Sequence, residues 1–157
     1  MTGSAGFAMP LVMVVVRLTT AVFIGGAIGL DRELRHKPAG FRTHALVALG
    51  AAALTSTSIQ LTGSGDPSGV LRVVQGIITG IGFLGAGVIL HPANQGSVLG
   101  LTTAASIWVV AGLGIGCGAG LWGSTLSAWG LTLLVLGLGG RLEQFIDRRV
   151  AARSNLE

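Results

Sequence analysis

Asp31 and Glu33 are the first residues whose type and spacing could do chemistry, since two carboxylates offer hard oxygen ligands to a divalent cation such as Mg²⁺. Arg32, Arg35, Lys37 and Arg42 crowd the same segment, and four bases beside two acids make a poor cation trap. Asp31 with Arg35 and Glu33 with Lys37 are acid-before-base pairs four apart, the orientation that supports a solvated helix end, and this reading is favoured. Arg17 is sharper. It interrupts an otherwise uncharged run from residue 1 to 30, where a cation in hydrocarbon is costly enough to suggest a function, with snorkelling to the interface as the ordinary alternative. Asp31 cannot answer it, because the intervening 14 residues separate the two by about 21 Å along one helix. Polar groups such as Gln75, backbone carbonyls or a bound anion must serve.

Two polar stripes could line a hydrated path. Gln75, Thr79, Gly82 and Ala86 fall on one face of a helix, and Thr102 with Ser106 forms a second pair four apart. Hydrogen bonding to neighbouring helices is the favoured role for both. Gly80-Ile-Gly-Phe-Leu-Gly85 matches the dinucleotide fingerprint, but it lacks a soluble strand before it and an acidic residue after it, so no nucleotide is expected. Close helix packing explains the glycines better. Gly25 with Gly29, Gly76 with Gly80, and Gly112 with Gly116 have small-x-x-x-small spacing, and Gly82 and Gly85 belong to the same set. One cysteine, Cys117, permits no internal disulfide, and the three histidines show no zinc spacing. No nucleophile and base pair is legible, so no enzyme and no cofactor are expected.

These residues must be positioned by apolar helices. Of 157 residues, 27 are Gly, half are hydrophobic and only 10% are charged, far too few for a soluble surface. No charge occurs in 43–65 or 73–140. At ~20 residues per crossing, the chain reads as an all-α integral membrane protein, a bundle of five Gly-rich transmembrane helices over residues 1–140. The expected spans are about 9–30, 42–61, 71–90, 99–116 and 121–138, with breaks at Pro38 and Gly40, at Thr62–Gly69, at His91–Gly96 and at Gly116–Gly120. Eight of ten basic residues lie in two clusters, after span one and after span five, and act as topology anchors rather than a nucleic-acid surface. Four crossings separate them, so both are cytoplasmic and the N-terminus is outside. Residues 141–157 read as a basic amphipathic cytoplasmic tail, either lying in the inner interface or simply ending span five with solvated charge. Met1–Val16 has no basic n-region, so cleavage of a signal peptide is not expected.

Four strings in order carry a resemblance. They are Gly29-Leu-Asp-Arg-Glu33, Lys37-Pro-Ala-Gly-Phe-Arg-Thr-His-Ala-Leu-Val47, Gly80-Ile-Gly-Phe-Leu-Gly-Ala-Gly87 and Gly100-Leu-Thr-Thr-Ala-Ala-Ser-Ile-Trp108. Together they resemble the MgtC/SapB family of bacterial membrane proteins over roughly Arg17 to Gly120. Asp31 stands where the family usually has Glu, which shortens one carboxylate's reach. The family's signature polar positions map to Arg17, Asp31, Arg32, Glu33, Arg42, Thr43, Arg72, Thr102 and Thr103. The soluble C-terminal domain of longer members is not expected in a chain ending at Glu157. The resemblance implies a multi-pass protein of the bacterial inner membrane, linked to Mg²⁺ limitation, acid stress or virulence.

Two functions are therefore expected in competition. The first is a non-enzymatic membrane regulator that binds itself, as a dimer or larger homo-oligomer, or another membrane protein such as the F-type ATP synthase. The second is a small transporter or channel for Mg²⁺ or another cation. Against it, no Asp or Glu lies inside any span, although a pore lined by Thr, Ser and carbonyls would escape that objection.

Overall fold

The computed structural model describes residues 9–62, 67–89 and 99–154, with side chains as far as Gly140. Five helices follow in order, α1 (Leu11–Leu34), α2 (Phe41–Thr62), α3 (Pro67–Val88), α4 (Leu101–Ala119) and α5 (Trp122–Ser154). All five contain a stretch long and apolar enough to cross a membrane. The helix ends show why the chain turns where it does. Pro10 fixes the entry to α1, its carbonyl accepting from Met13 N at 2.8 Å. At the exit, Lys37 N donates to Arg32 O and His36 N to Glu33 O, both at 3.0 Å, a Schellman closure in which His36 takes the left-handed backbone (φ 53°) usually left to glycine. Pro38 follows, where a helix could not continue. The Glu33 carboxylate then caps the next helix, its Oε2 accepting from Phe41 N at 2.9 Å. Pro67 opens α3 at a position that needs no amide. Gly120, at φ 76°, ends α4, with Leu121 N donating to Gly116 O at 2.9 Å.

Three helices make the core. Ala21, Ile24 and Ile28 of α1, Ala48 and Ala52 of α2, and Val110, Leu113 and Cys117 of α4 pack together, all nearly inaccessible. Glycines set how close they come. A methyl added at Gly25 would sit 2.6 Å from the His44 carbonyl oxygen, and at Gly29 2.7 Å from that of Gly40, so α1 lies directly on the α2 backbone. On the opposite side, methyls at Gly114 and Gly118 would each lie 2.5 Å from an α2 carbonyl oxygen, those of Ala48 and Ala52. Thus α2 is gripped between glycine pairs four apart on α1 and on α4, backbone contact replacing side-chain interdigitation. Helix α3 leans on α4 and α2, and α5 on α4 alone among the stronger contacts.

Several expectations shift. Gly116 does pack, since a methyl there would collide with Thr125 Oγ1 of α5, and Gly85 faces Ala104 of α4 at ordinary van der Waals distance, 3.7 Å. Gly76, Gly80, Gly82 and Gly112, expected at helix contacts, have no described atom within 4 Å of an added methyl. In α4 the gripping pair is Gly114 with Gly118, two residues along from the expected one. The break at Gly116–Gly120 shrinks to Gly120 and Leu121, because α4 runs on to Ala119. Of the two readings of the tail, the helix follows the continuation of span five: α5 runs unbroken through Gly139 and Gly140 to Ser154, 33 residues in all, with no proline to stop it. The amphipathic side-chain pattern of that tail and the break at His91–Gly96 lie outside the described residues.

Candidate functional site

Polar side chains are brought together across the core at the α1–α2 turn end. Arg32, in the last turn of α1, is 4% exposed, and its Nη2 donates to Thr103 Oγ1 of α4 at 3.1 Å. Its Nε is buried with no partner. Asp31 does not pair with it but accepts from Arg35 Nε through Oδ1 at 2.9 Å. His44 of α2 is wholly buried, held at both ring nitrogens, Nδ1 2.9 Å from Gly40 O and Nε2 2.9 Å from Ser106 Oγ. Ser106 Oγ in turn lies 2.8 Å from Thr103 O. Arg32, Thr103, Ser106 and His44 thereby link α1, α4 and α2 and return the chain to the turn at Gly40.

The protons in this network do not add up for a neutral ring. Gly40 O and Thr103 O can only accept, so the three contacts around His44 and Ser106 require three protons. A neutral imidazole brings one and the serine hydroxyl one. A neutral ring satisfies two of the three contacts. With the proton on Nδ1, Ser106 donates to Nε2 and forgoes Thr103 O, and with it on Nε2, the hydroxyl is free for Thr103 O and Gly40 O loses its donor; only a doubly protonated ring satisfies all three. The direction of the Ser106 hydroxyl therefore follows whether His44 Nε2 carries a proton. The doubly protonated state would place another buried cation in the network that already contains Arg32.

A second junction lies at the far end of the same three helices. Arg17 Nη1 donates to Gly118 O at 2.7 Å, and Ser56 Oγ donates to the same carbonyl at 3.0 Å. The carbonyls of a helix's last turn lack intrahelical partners and carry the negative end of its dipole, so a guanidinium there answers both needs. A methyl at Gly120 would lie 2.6 Å from Arg17 Nη2, so the glycine also makes room for the cation. Arg17 thus meets a backbone carbonyl of α4 and not Gln75. Arg72, one of the polar positions to which the resemblance points, is exposed at the start of α3.

The remaining candidates separate. Thr102 is exposed while Thr103 is 1% exposed, so the buried pair in α4 is Thr103 with Ser106 and not Thr102 with Ser106. Gln75, Thr79, Gly82 and Ala86 all face outward from the bundle. Arg42 and Thr43, with Glu33, His36 and Lys37, border an open cavity of about 440 Å³ beside the α1–α2 turn. Asp31 and Glu33 have one oxygen each engaged elsewhere, and among the described residues no group of three or more His, Cys, Asp or Glu could hold a metal. Cys117 is buried in α4 against the core rather than set in a turn. His44 and Ser56 were missed from the sequence. For His44 one signal was present, a titratable ring inside an uncharged apolar run. Ser56 offered none.

Comparison with known proteins adds a family. The profile described as the MgtC family matches residues 18–145. Protein SrpB of Synechococcus elongatus is 42% identical over 137 residues, covering 82% of this chain and 75% of that protein. Protein MgtC of Brucella abortus is 45% identical over 112 residues, 71% of this chain and 45% of that protein. Protein MgtC of Salmonella typhimurium is 43% identical over 122 residues, 78% of this chain and 49% of its own length. The chain thus spans about half the length of the relatives named MgtC. No solved structure matches it.

Proposed function

The chain belongs to the MgtC family, and on that premise we propose that it is a non-enzymatic regulator of the bacterial inner membrane, working through contacts of its helix faces in adaptation to Mg²⁺ limitation, acid stress or virulence. One observation carries the reading. Most polar side chains inside the bundle are bonded to one another or to backbone, Arg32 to Thr103, His44 to Ser106, Arg17 and Ser56 to Gly118, with the Thr55 hydroxyl left unpaired, and they tie α1, α2 and α4 into one unit. A hydrated ion path needs such groups free to replace an ion's water shell. Helices α3 and α5, by contrast, present most of their surface outward, which suits recognition of another membrane protein, the F-type ATP synthase being the partner that the resemblance suggests.

The full chain reconstituted in liposomes separates this from transport. Entrapped indicators for Mg²⁺ and protons should read no flux above empty vesicles. Flux that Thr103→Val or Arg32→Leu alters would replace the regulator with a transporter. The orientation proposed with it, N-terminus outside and C-terminus in the cytoplasm, predicts cytoplasmic signals from reporter fusions after Lys37 and after Arg153. Opposite signals from the two would remove it.

A further inference from the structure

We propose that the groove between α2 and α3 and the basic cavity beside the α1–α2 turn form one binding site for an anionic phospholipid, its phosphate held at the turn and one acyl chain laid along the groove. The site stands apart from the choice between regulation and transport, since neither reading gives these residues a ligand. Helical register joins its two halves. Arg42 and Thr43 border the open cavity of about 440 Å³, and one turn further along α2 Leu46 and Val47 border an apolar groove of about 620 Å³. Residues four apart share a helix face, so the cavity lies directly over the mouth of the groove.

The cavity carries charge that the chain leaves unanswered. Asp31 is paired with Arg35, and Glu33, four residues before Lys37, turns instead to the amide of Phe41. The side chains of Lys37 and Arg42 are exposed, and neither forms an ion pair or a hydrogen bond among the described residues. The backbone adds to them. The α2 ladder begins with His44 N donating to Gly40 O at 3.2 Å, so the amides of Arg42 and Thr43 precede it and present the positive end of the helix. A phosphodiester brings a negative charge and acceptor oxygens to this place. A headgroup with no ammonium of its own leaves that charge to the two side chains.

The groove has the dimensions of a lipid tail. Gly50 of α2 and Gly76 and Gly80 of α3 line it, and a methyl added at any of the three would meet nothing within 4 Å, so their missing side chains hollow it. It runs from Leu46 to Leu54, about 12 Å of α2, and from Leu84 back to Val73, about 16 Å of α3. Half of a ~30 Å hydrocarbon layer is about 15 Å deep, so the groove takes one chain through one leaflet. Arg42, Leu46, Gly50 and Leu54 follow one another four apart, in the order in which a lipid's head and tail would meet them.

The full chain reconstituted in phosphatidylcholine vesicles, with phosphatidylglycerol or phosphatidylcholine spin-labelled on one acyl chain, tests both halves. The parent should immobilise labelled phosphatidylglycerol in preference to phosphatidylcholine by roughly fivefold or more. Lys37→Gln with Arg42→Gln should remove that preference. Arg148→Gln with Arg149→Gln, which deletes the same charge from the other basic cluster, should keep it. Gly80→Leu fills the groove from its α3 wall and should lower the immobilised phosphatidylglycerol while melting as the parent does in detergent. Equal immobilisation of the two lipids by the parent, or a preference that survives Lys37→Gln with Arg42→Gln, would overturn the proposal. Loss of preference in both charge pairs alike would overturn it in favour of general surface potential. An unchanged signal in Gly80→Leu would do so too, reducing the site to a headgroup patch on the turn.

Discussion

The faces of α1 and α4 that grip α2 differ sharply from the outer face of α3, although all are glycine-rich. Half of the most apolar stretch of α4 is buried within the chain, against 6% of that of α3. Gly114 and Gly118 touch backbone, whereas Gly76 and Gly80, with the same four-residue spacing, touch nothing described. Spacing alone therefore does not say what a glycine pair is for. The first pair is part of how the chain folds. The second makes no contact among the described residues.

The largest expected effect comes from forcing the first pair apart. Gly118→Leu should prevent accumulation of folded protein, because even the alanine methyl would stand 2.5 Å from the Ala52 carbonyl oxygen, a backbone atom that cannot swing away. Gly118→Ala should cost about 1–3 kcal/mol, the usual range for overpacking, read as a lower melting temperature in detergent. A wild-type melt for Gly118→Ala would break the contrast at its root.

Next in size are the polar junctions that hold the gripped side together. Thr103→Val leaves the buried Arg32 guanidinium without its α4 acceptor and should cost about 1–3 kcal/mol. Arg17→Leu removes the charged donor from Gly118 O and should cost about 1.5–3 kcal/mol. Arg17→Lys should recover only part of this, since a lysine ammonium lacks the planar fork that reaches the carbonyl beside Gly120. Full stability of Arg17→Leu would reduce the residue to an interfacial anchor. Ser106→Ala should be milder, about 1 kcal/mol, because His44 keeps its bond to Gly40 O.

The smallest effect sharpens the other half of the comparison. Gly80→Leu, which the sequence pattern would place among the disruptive changes, should alter the melting temperature of the monomer by no more than about 0.5 kcal/mol equivalent, since its side chain enters open space. A large loss of monomer stability there would mean that α3 packs within the chain more tightly than its geometry allows.

The number and order of helices were legible because charge is excluded from hydrocarbon so strongly that its gaps mark each span. Register was not. Gly112 with Gly116 and Gly114 with Gly118 are equally good pairs on paper, as are Thr102 and Thr103 beside Ser106. Which member faces inward depends on the rotation of α4 about its own axis, and apolar residues all round that helix leave no amphipathic stripe to fix it. Arg17 was legible as a residue needing a partner. Backbone carbonyls were among the expected partners, but which one was not legible, since a carbonyl exposed by a helix ending at Gly120 has no sequence letter of its own. Continuity of α5 was left open for a related reason, since two adjacent glycines weaken a helix without ending it.

The length of α5 has a mechanical side. Its packing on the core runs from Thr125, against Gly116, to Leu136, and Ser154 lies 18 residues beyond. At 1.5 Å per residue that leaves a rigid arm of about 27 Å past the last core contact. Tilting the arm by about 10° around that contact would carry its far tip sideways by about 5 Å. A change in bilayer thickness too small to disturb the gripped helices would thus arrive at the basic end of the chain as a displacement of about 5 Å.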